Sequence, residues 1–226
     1  MSVQIFDAGS NIFTRNIDAA IASGTYQRGQ LFAGAITGGV ALSEKLLDYG
    51  CGPGRIAAML AQAGYQVEAC DPSPLMLAEA RLMPGASGNP HYILADDNGA
   101  SLPDAAFGGI VCSSVIEFVP DPEALLRHLH RASQPGALLA LSFSNRRSLW
   151  RAYAKWRHGR HLPHFSVQYN SWTFAQAVKM LAGNGFAVTS GPVYFEGGPF
   201  ETRPALKFMC RWALIGTLGF VTARRV

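Results

Sequence analysis

Apolar positions along this chain switch repeatedly between a period of two and a period near 3.6, the pattern of strands alternating with helices. Ile12, Phe13, Ile17, Ala20 and Ile21 fall near helical spacing, so residues 11–41 are expected to be helical with a break around Gly24. Lys45 to Tyr49 reads as a short apolar strand ending in the cluster Gly50-Cys51-Gly52-Pro53-Gly54. A helix follows, with Ile56, Met59, Leu60 and Ala63 on one face and Gly64 as its stop. Tyr65 to Cys70 is the second strand, after which Ser73 caps a helix with Pro74 at its first position. Short strands are expected at Tyr92 to Ala95 and Ile110 to Ser113, then a capped helix from Asp121-Pro122-Glu123 to about Ser133. The turn Gln134-Pro135-Gly136 leads into a strand at Ala137 to Ser142. Thr173 and Gln176 form a capping box opening a helix to Ala182. Strands near Ala187 to Phe195 and Leu218 to Ala223 close the pattern, and between them Ala205 to Ile215 predicts an amphipathic helix. Core packing is the default role of its Phe208, Met209 and Trp212; a lipophilic lid or a membrane-surface contact is the alternative. This alternation implies an α/β fold, a doubly wound and mostly parallel sheet with helices on both faces.

At 226 residues, 49% hydrophobic and 15% charged, the chain is sized for one large domain and is not disordered. No apolar run approaches the roughly 18 residues of a transmembrane segment. The N-terminus lacks the basic start and apolar core of a secretory signal, so a cytoplasmic protein is expected. Cys51, Cys70, Cys112 and Cys210 form no CxxC pair, which excludes a zinc ribbon and a disulfide scaffold; no metal is expected.

Charge is divided unevenly. Residues 1–123 carry 5 Lys/Arg and 13 Asp/Glu, whereas residues 124–226 carry 14 and 2, within a net charge of +4. Either this is a solubilising dipole, or the basic half faces something anionic: a phosphate, an acidic carrier protein, a lipid surface or RNA.

The strongest chemical signal is Leu46-Leu47-Asp48-Tyr49-Gly50-Cys51-Gly52-Pro53-Gly54-Arg55, a strand feeding a glycine loop and then a helix. In an open α/β sheet, ligands sit at the carboxyl ends of the strands, where this loop falls. A dinucleotide site would read G-x-G-x-x-G and present a helix N-terminus to a pyrophosphate. Here the spacing is G-x-G-x-G, preceded by Asp48, which suits the cationic end of an amino acid or sulfonium ligand. Asp71, at the end of the second strand, is placed to accept hydrogen bonds from ribose hydroxyls. The combination asks for a nucleoside with a positively charged tail.

The run LLDYGCGPGRIAAMLAQAGYQVEACDPSPLMLAEAR resembles the first two motifs of class I S-adenosylmethionine-dependent methyltransferases. The resemblance continues through Ala95-Asp96-Asp97, Ser101-Leu102-Pro103, the segment Ile110 to Glu117 and the Gln134-Pro135-Gly136 turn, covering roughly residues 45–145. It implies a Rossmann-like, seven-stranded sheet whose last strand is antiparallel, with S-adenosylmethionine as cofactor. It further implies that Asp48 and the backbone of Gly50, Cys51 and Gly52 hold the methionine portion. Asp71 would bind the ribose, Pro72 and Met76 would lie beside the adenine, and Asp96 and Asp97 would reach its amino group. Ser113 would lie under the sulfonium. Tyr26 and Arg28 resemble residues that close over the cofactor, although a solvated helix face is an equal reading of Arg28. Two departures stand out: Phe107-Gly108-Gly109 where Phe-Asp is frequent, and Glu117-Phe118 where Glu-His is frequent, which removes a titratable group.

The resulting division is one methyltransferase domain over 1–226: a helical N-terminal cap at 1–44, a cofactor core at 45–143, and substrate-side insertions at 144–170 and 197–216. The first insertion carries Arg146, Arg147, Arg151, Lys155, Arg157 and Arg160, interleaved with Trp150, Tyr153 and Trp156. His158, His161 and His164 share it as metal ligands, general base or ordinary packing residues. The expected activity is methyl transfer to a small-molecule or lipid-like acceptor, more at oxygen than at nitrogen or carbon. An anionic or carrier-bound acceptor and a peripheral membrane contact fit the basic half, whereas a nucleic-acid partner does not stand out. The alternatives are an RNA methyltransferase and a catalytically inactive cofactor-binding partner subunit. RNA methylation is weakened because no Asn/Asp-Pro-Pro-Tyr pocket and no separate RNA-binding module occur.

Overall fold

Residues 27–83, 88–95, 99–158, 168–196 and 204–226 are described by the structure, a computed structural model. Among them, seven strands form one sheet: β1 (Lys45–Tyr49), β2 (Gln66–Asp71), β3 (His91–Leu94), β4 (Phe107–Cys112), β5 (Ser133–Ser144), β6 (Phe186–Phe195) and β7 (Leu218–Arg225). Their spatial order is β3-β2-β1-β4-β5-β7-β6. Pairing is parallel from β3 to β5, while β7 runs antiparallel to both β5 and β6. Crossovers make the parallel strands point one way, so the carboxyl ends of β1, β2, β4 and β5 share one edge.

Side-chain alternation sorts the two faces. Leu46, Val111, Leu138, Ala140 and Phe220 pack under α1 (Gln27–Gly39), α2 (Arg55–Gln62) and α3 (Pro74–Ala80). Their sequence neighbours Leu47, Ile110, Leu139, Leu141 and Val221 pack under α4 (Pro122–Ala132) and α6 (Phe174–Gly183). Leu47, Ile110, Leu139 and Leu141 are fully buried, and burial of each contributes about 2 kcal/mol. The caps form as the sequence requires: Ser73 Oγ accepts from Met76 N at 3.1 Å, Asp121 Oδ1 from Ala124 N at 2.9 Å, and Thr173 and Gln176 complete a capping box.

Several boundaries differ from expectation. The Gln134-Pro135-Gly136 turn lies inside β5, which begins at Ser133; the pairing slips between Phe107–Ser133 and Gly109–Leu138, so the glycine marks a bulge instead of a strand start. β4 begins at Phe107 because Gly108 and Gly109 leave room for Glu44 and Leu46 to pack across the strand. The predicted N-terminal helix is seen over α1, and the break at Gly24 lies outside the described residues. Phe32 and Ile36 of α1 are fully buried, so this helix is part of the sheet packing as well as a flank of the site.

The largest differences lie on the acceptor side. The segment 144–170 contains a helix, α5 (Leu149–His158). Residues 204–211 form a 3-10 helix (Pro204–Arg211) in place of an α-helix. Its Phe208 is 59% exposed and the following Trp212 53%, whereas Cys210 is buried, which corrects the expectation that the aromatics enter the core.

Candidate active site

The glycine loop occupies the turn between β1 and α2. Gly50 and Gly52 have φ of +71° and +53°, values that side chains rarely adopt. At Gly50 a Cβ would stand 2.3 Å from Val115 Cγ2, so protein packing demands glycine. At Gly52 a Cβ would meet nothing within 4 Å, and that open space lets a ligand approach the backbone.

Every N–H of the loop is spent within the protein. Gly50 N and Cys51 N both donate to Cys70 O, at 2.8 and 3.0 Å. Gly54 N donates to Cys51 O at 3.0 Å, Gly52 N donates to Asp71 Oδ2 at 2.8 Å, and Pro53 has no N–H. What remains for a ligand is carbonyl oxygen and the Asp48 carboxyl, acceptors that suit an ammonium end and reject a pyrophosphate.

Asp48 is 1% exposed, and its Oδ2 has no hydrogen-bond partner. Burial pushes its pKa up to about 7, opposed by a backbone hydrogen bond from Ala57 and reinforced by Asp71. An unpartnered buried oxygen costs about 1–3 kcal/mol, and a cationic ligand would relieve that cost. Asp71 is also buried, with Oδ1 accepting from Ser73 N at 2.9 Å, so it ties the β2 end to the glycine loop as well as bordering the open space. Pro72 is half-buried beside it, and Met76 is buried in the first turn of α3. The residues that the sequence assigns to a sulfonium nucleoside therefore fit one: an orphaned acid, an open backbone cradle and an acidic strand end.

A second group of orphaned polar atoms lies just beyond β4. Ser113 Oγ, Ser114 Oγ and Glu117 Oε2 are buried without partners. Ser114 holds a left-handed φ of +55°, and its N donates to Ser142 Oγ at 2.9 Å. Glu117 is 1% exposed; its Oε1 accepts from Ser144 Oγ at 3.2 Å, at the end of β5. Burial raises its pKa to about 7, against the attraction of Arg28 on α1 and Arg151 on α5.

Arg28 donates to Glu196 Oε1 from Nε at 3.1 Å and from Nη2 at 2.7 Å. It is thus neither a solvated helix face nor free to meet a ligand without exchanging partners. Arg151 is half-buried, hydrogen-bonded to Gln168 and drawn toward Glu117, so it does not belong to the exposed basic face with Lys155 and Arg157. Cys51, Cys70 and Cys112 are buried at strand ends, and burial raises all three thiols.

Tyr26, Asp96, Asp97, His161, His164 and the side chain of His158 lie outside the described residues. Three features escape the sequence reading: Glu117 as a buried acid, Ser114, and Tyr92 on β3, whose orphaned hydroxyl would stand 2.6 Å from a Cβ at Gly54. Polar residues directly after a strand's carboxyl end are the signal that points to the first two. Among the described residues, no group of three His, Cys, Asp or Glu could hold a metal ion, and no helix is long and apolar enough to cross a membrane.

Residues 21–190 match the family described as "Methyltransferase domain". A malonyl-[acyl-carrier protein] O-methyltransferase of Serratia marcescens is 38% identical over 99 residues, 44% of this chain and 38% of its own. A ubiquinone biosynthesis O-methyltransferase of Pseudomonas aeruginosa is 36% identical over 106 residues, 46% of this chain and 45% of its own. The matched stretch thus spans less than half the length of these curated relatives. In fold, a Thermotoga maritima S-adenosylmethionine-dependent methyltransferase superposes with a TM-score of 0.71 at 14% identity, each chain covered in full. The magnesium protoporphyrin IX methyltransferase of Synechocystis with bound SAH superposes with a TM-score of 0.64 at 22% identity, over 91% of this chain and 84% of its own. With the strand order, the acceptor-lined glycine loop and three quarters of the sequence in agreement, this chain belongs to the class I S-adenosylmethionine-dependent methyltransferase family.

Proposed function

We propose that the protein methylates a hydroxyl oxygen of a small or amphiphilic acceptor, with Glu117 receiving the hydroxyl proton. Bound S-adenosylmethionine supplies an electrophilic methyl group. Asp48 and the loop carbonyls would hold its ammonium end, and Asp71 its ribose. Proximity and alignment supply much of a methyl-transfer rate, but an acceptor that begins protonated also needs a base.

Glu117 is the observation that carries this reading. It lies at the carboxyl edge of β4 and β5, near α1 and α5, with one oxygen held by Ser144 and the other unpartnered. A carboxyl whose pKa is about 7 is matched to taking a proton near neutral pH. The same buried acid repels an acceptor that is itself a carboxylate, which favours a hydroxyl. Two relatives are named as O-methyltransferases, one acting on a carrier-bound malonyl group and one in ubiquinone biosynthesis, and both support oxygen as the acceptor atom; a malonyl group offers a carboxylate, so the choice of a hydroxyl rests on Glu117.

The test is transfer of labelled methyl to a panel of alkylated phenols and catechols. Glu117→Gln keeps the shape of the side chain and removes the base. Its kcat should fall by about 10²–10⁴-fold and lose an inflection near pH 7, while cofactor affinity holds. A variant with the wild-type rate and pH profile sinks the assignment.

A further inference from the structure

The exposed aromatic side chains of this protein are not scattered. Among the described residues, every exposed large aromatic, Tyr153, Trp156, Tyr169, Phe208 and Trp212, falls in the two insertions after β5 and after β6. On α5, Trp150, Tyr153 and Trp156 stack along one side, with ring centroids 5.3 and 6.1 Å apart. Exposure rises along this row to 80% at Trp156. Beside the 3-10 helix, Phe208 and Trp212 meet edge to face at 5.8 Å.

These two rows are fastened together. Asn145, fully buried, donates from Nδ2 to Ala213 O at 2.6 Å and to Gly216 O at 2.7 Å. Ser148 Oγ donates to Ile215 O at 2.8 Å, and Leu149 N to Leu214 O at 2.8 Å. Leu149 and Leu214, 62% and 47% exposed, lie at that junction. The two insertions are thus joined at their bases, and each carries exposed aromatic side chains.

Among the described residues, the charges on the two insertions have one sign. Arg146, Arg147, Lys155, Arg157 and Arg211 are exposed on the same two segments, and none is paired with a carboxylate among the described residues. Elsewhere, exposed cations do find acids, as Arg131 does with Asp104 and Arg127 with Asp121. The sequence places no acid from residue 124 to residue 195, Glu196 is taken by Arg28, and the remaining acid of this half, Glu201, lies outside the described residues. A second copy meeting this surface with the same surface would bring cations against cations. Trp, Phe and Leu beside exposed Lys and Arg on short helical segments is the composition of a surface that lies in the headgroup layer of an anionic bilayer.

We infer that α5 and the 3-10 helix together form a docking surface for an anionic phospholipid membrane. The surface adjoins the acceptor side of the site, so an amphiphilic acceptor could pass between bilayer and enzyme without crossing water. That use rests on the proposed acceptor class; the docking itself does not.

Co-sedimentation of the whole chain with vesicles of phosphatidylcholine, alone or mixed with phosphatidylglycerol, tests the inference without acceptor or methyl transfer. Binding is expected only with phosphatidylglycerol, to weaken steeply with added salt, and to shift the tryptophan emission to the blue. Lys155→Gln with Arg157→Gln should weaken partitioning by roughly 25-fold, since each juxtamembrane cation contributes about fivefold. Trp156→Ser with Trp212→Ser should abolish the blue shift and most binding, with S-adenosylhomocysteine affinity unchanged as the check on folding. Failure of the wild type to sediment with anionic vesicles overturns the inference. So does capture by a purified acidic acyl carrier protein that depends on the same four residues while vesicles are ignored. Neither result bears on Glu117, whose test uses a dissolved acceptor.

Discussion

Asp48 offers a quantitative test of how the cofactor's cationic end is held. In the free protein its carboxyl sits 1% exposed with an orphaned Oδ2, and its pKa is pushed up to about 7. A ligand ammonium requires the carboxylate, so binding must expel the proton wherever the free site carries one. With a pKa of about 7, about three-quarters of sites are ionised at about pH 7.5 and about one-tenth at about pH 6. Affinity for S-adenosylhomocysteine should therefore fall about eightfold between these values, a change of about 1.2 kcal/mol. Calorimetry in buffers of different ionisation enthalpy should show nearly one proton released per ligand bound at about pH 6. Asp48→Asn should flatten both dependences and, by removing a charge-assisted hydrogen bond of about 1.5–3 kcal/mol, weaken binding by roughly 10- to 100-fold. An affinity constant to within twofold across this range, with no buffer dependence, would refute the idea that Asp48 meets a positive charge.

Asp71→Ala removes the acceptors of both Gly52 N and Ser73 N along with the proposed ribose contact. Cofactor affinity measured by calorimetry should fall roughly 10- to 100-fold, and the melting temperature should drop by a few degrees; unchanged affinity in a folded variant would assign the ribose to another residue. Asp48 and Glu117 both have folded pKa values raised to about 7. Their contribution to stability is full below the ordinary carboxylate range and is lost as pH rises through about 7. The cofactor-free protein should therefore lose about 2–3 kcal/mol from this pair between about pH 6 and pH 8. Chemical denaturation of the wild type against Asp48→Asn/Glu117→Gln checks this, because the double variant should lack that part of the slope.

The cofactor half is legible in the sequence because its constraints are local. Ser73, Asp121 and Thr173 cap their helices within three residues of themselves, so each cap can be read from its neighbours. The acceptor half depends on contacts between distant segments. Glu117 becomes a poised acid only once distant segments bury it, and Ser144, Arg28 and Arg151, which oppose that rise, come from three other elements. Likewise, nothing near Arg28 announces its partner Glu196, 168 residues away. Amphipathic spacing at 205–215 is real, yet it does not say which face meets protein; the buried Cys210 and exposed Trp212 decide that against the apolar prior. Helix α5 is hidden in a run of Arg and aromatic residues, although Ser148 Oγ accepts from Arg151 N in the manner of an N-cap.

The place of β7 between β5 and β6 has a consequence for the order in which the protein is made. Strands β1 to β5 join as successive parallel units, each able to dock as soon as its crossover has been synthesised. β6, by contrast, has no mate until β7 follows, and the free edge of β5 waits for the same late strand. The bonds from Asn145 to Ala213 and Gly216 wait too, since those residues lead directly into β7. On the ribosome, then, a cofactor-binding half can assemble while the acceptor side is still an open edge with bare aromatics. That interval is when the chain is most exposed to mispairing and to chaperones. Shortening it would require faster emergence of residues 204–226, not a more stable glycine loop.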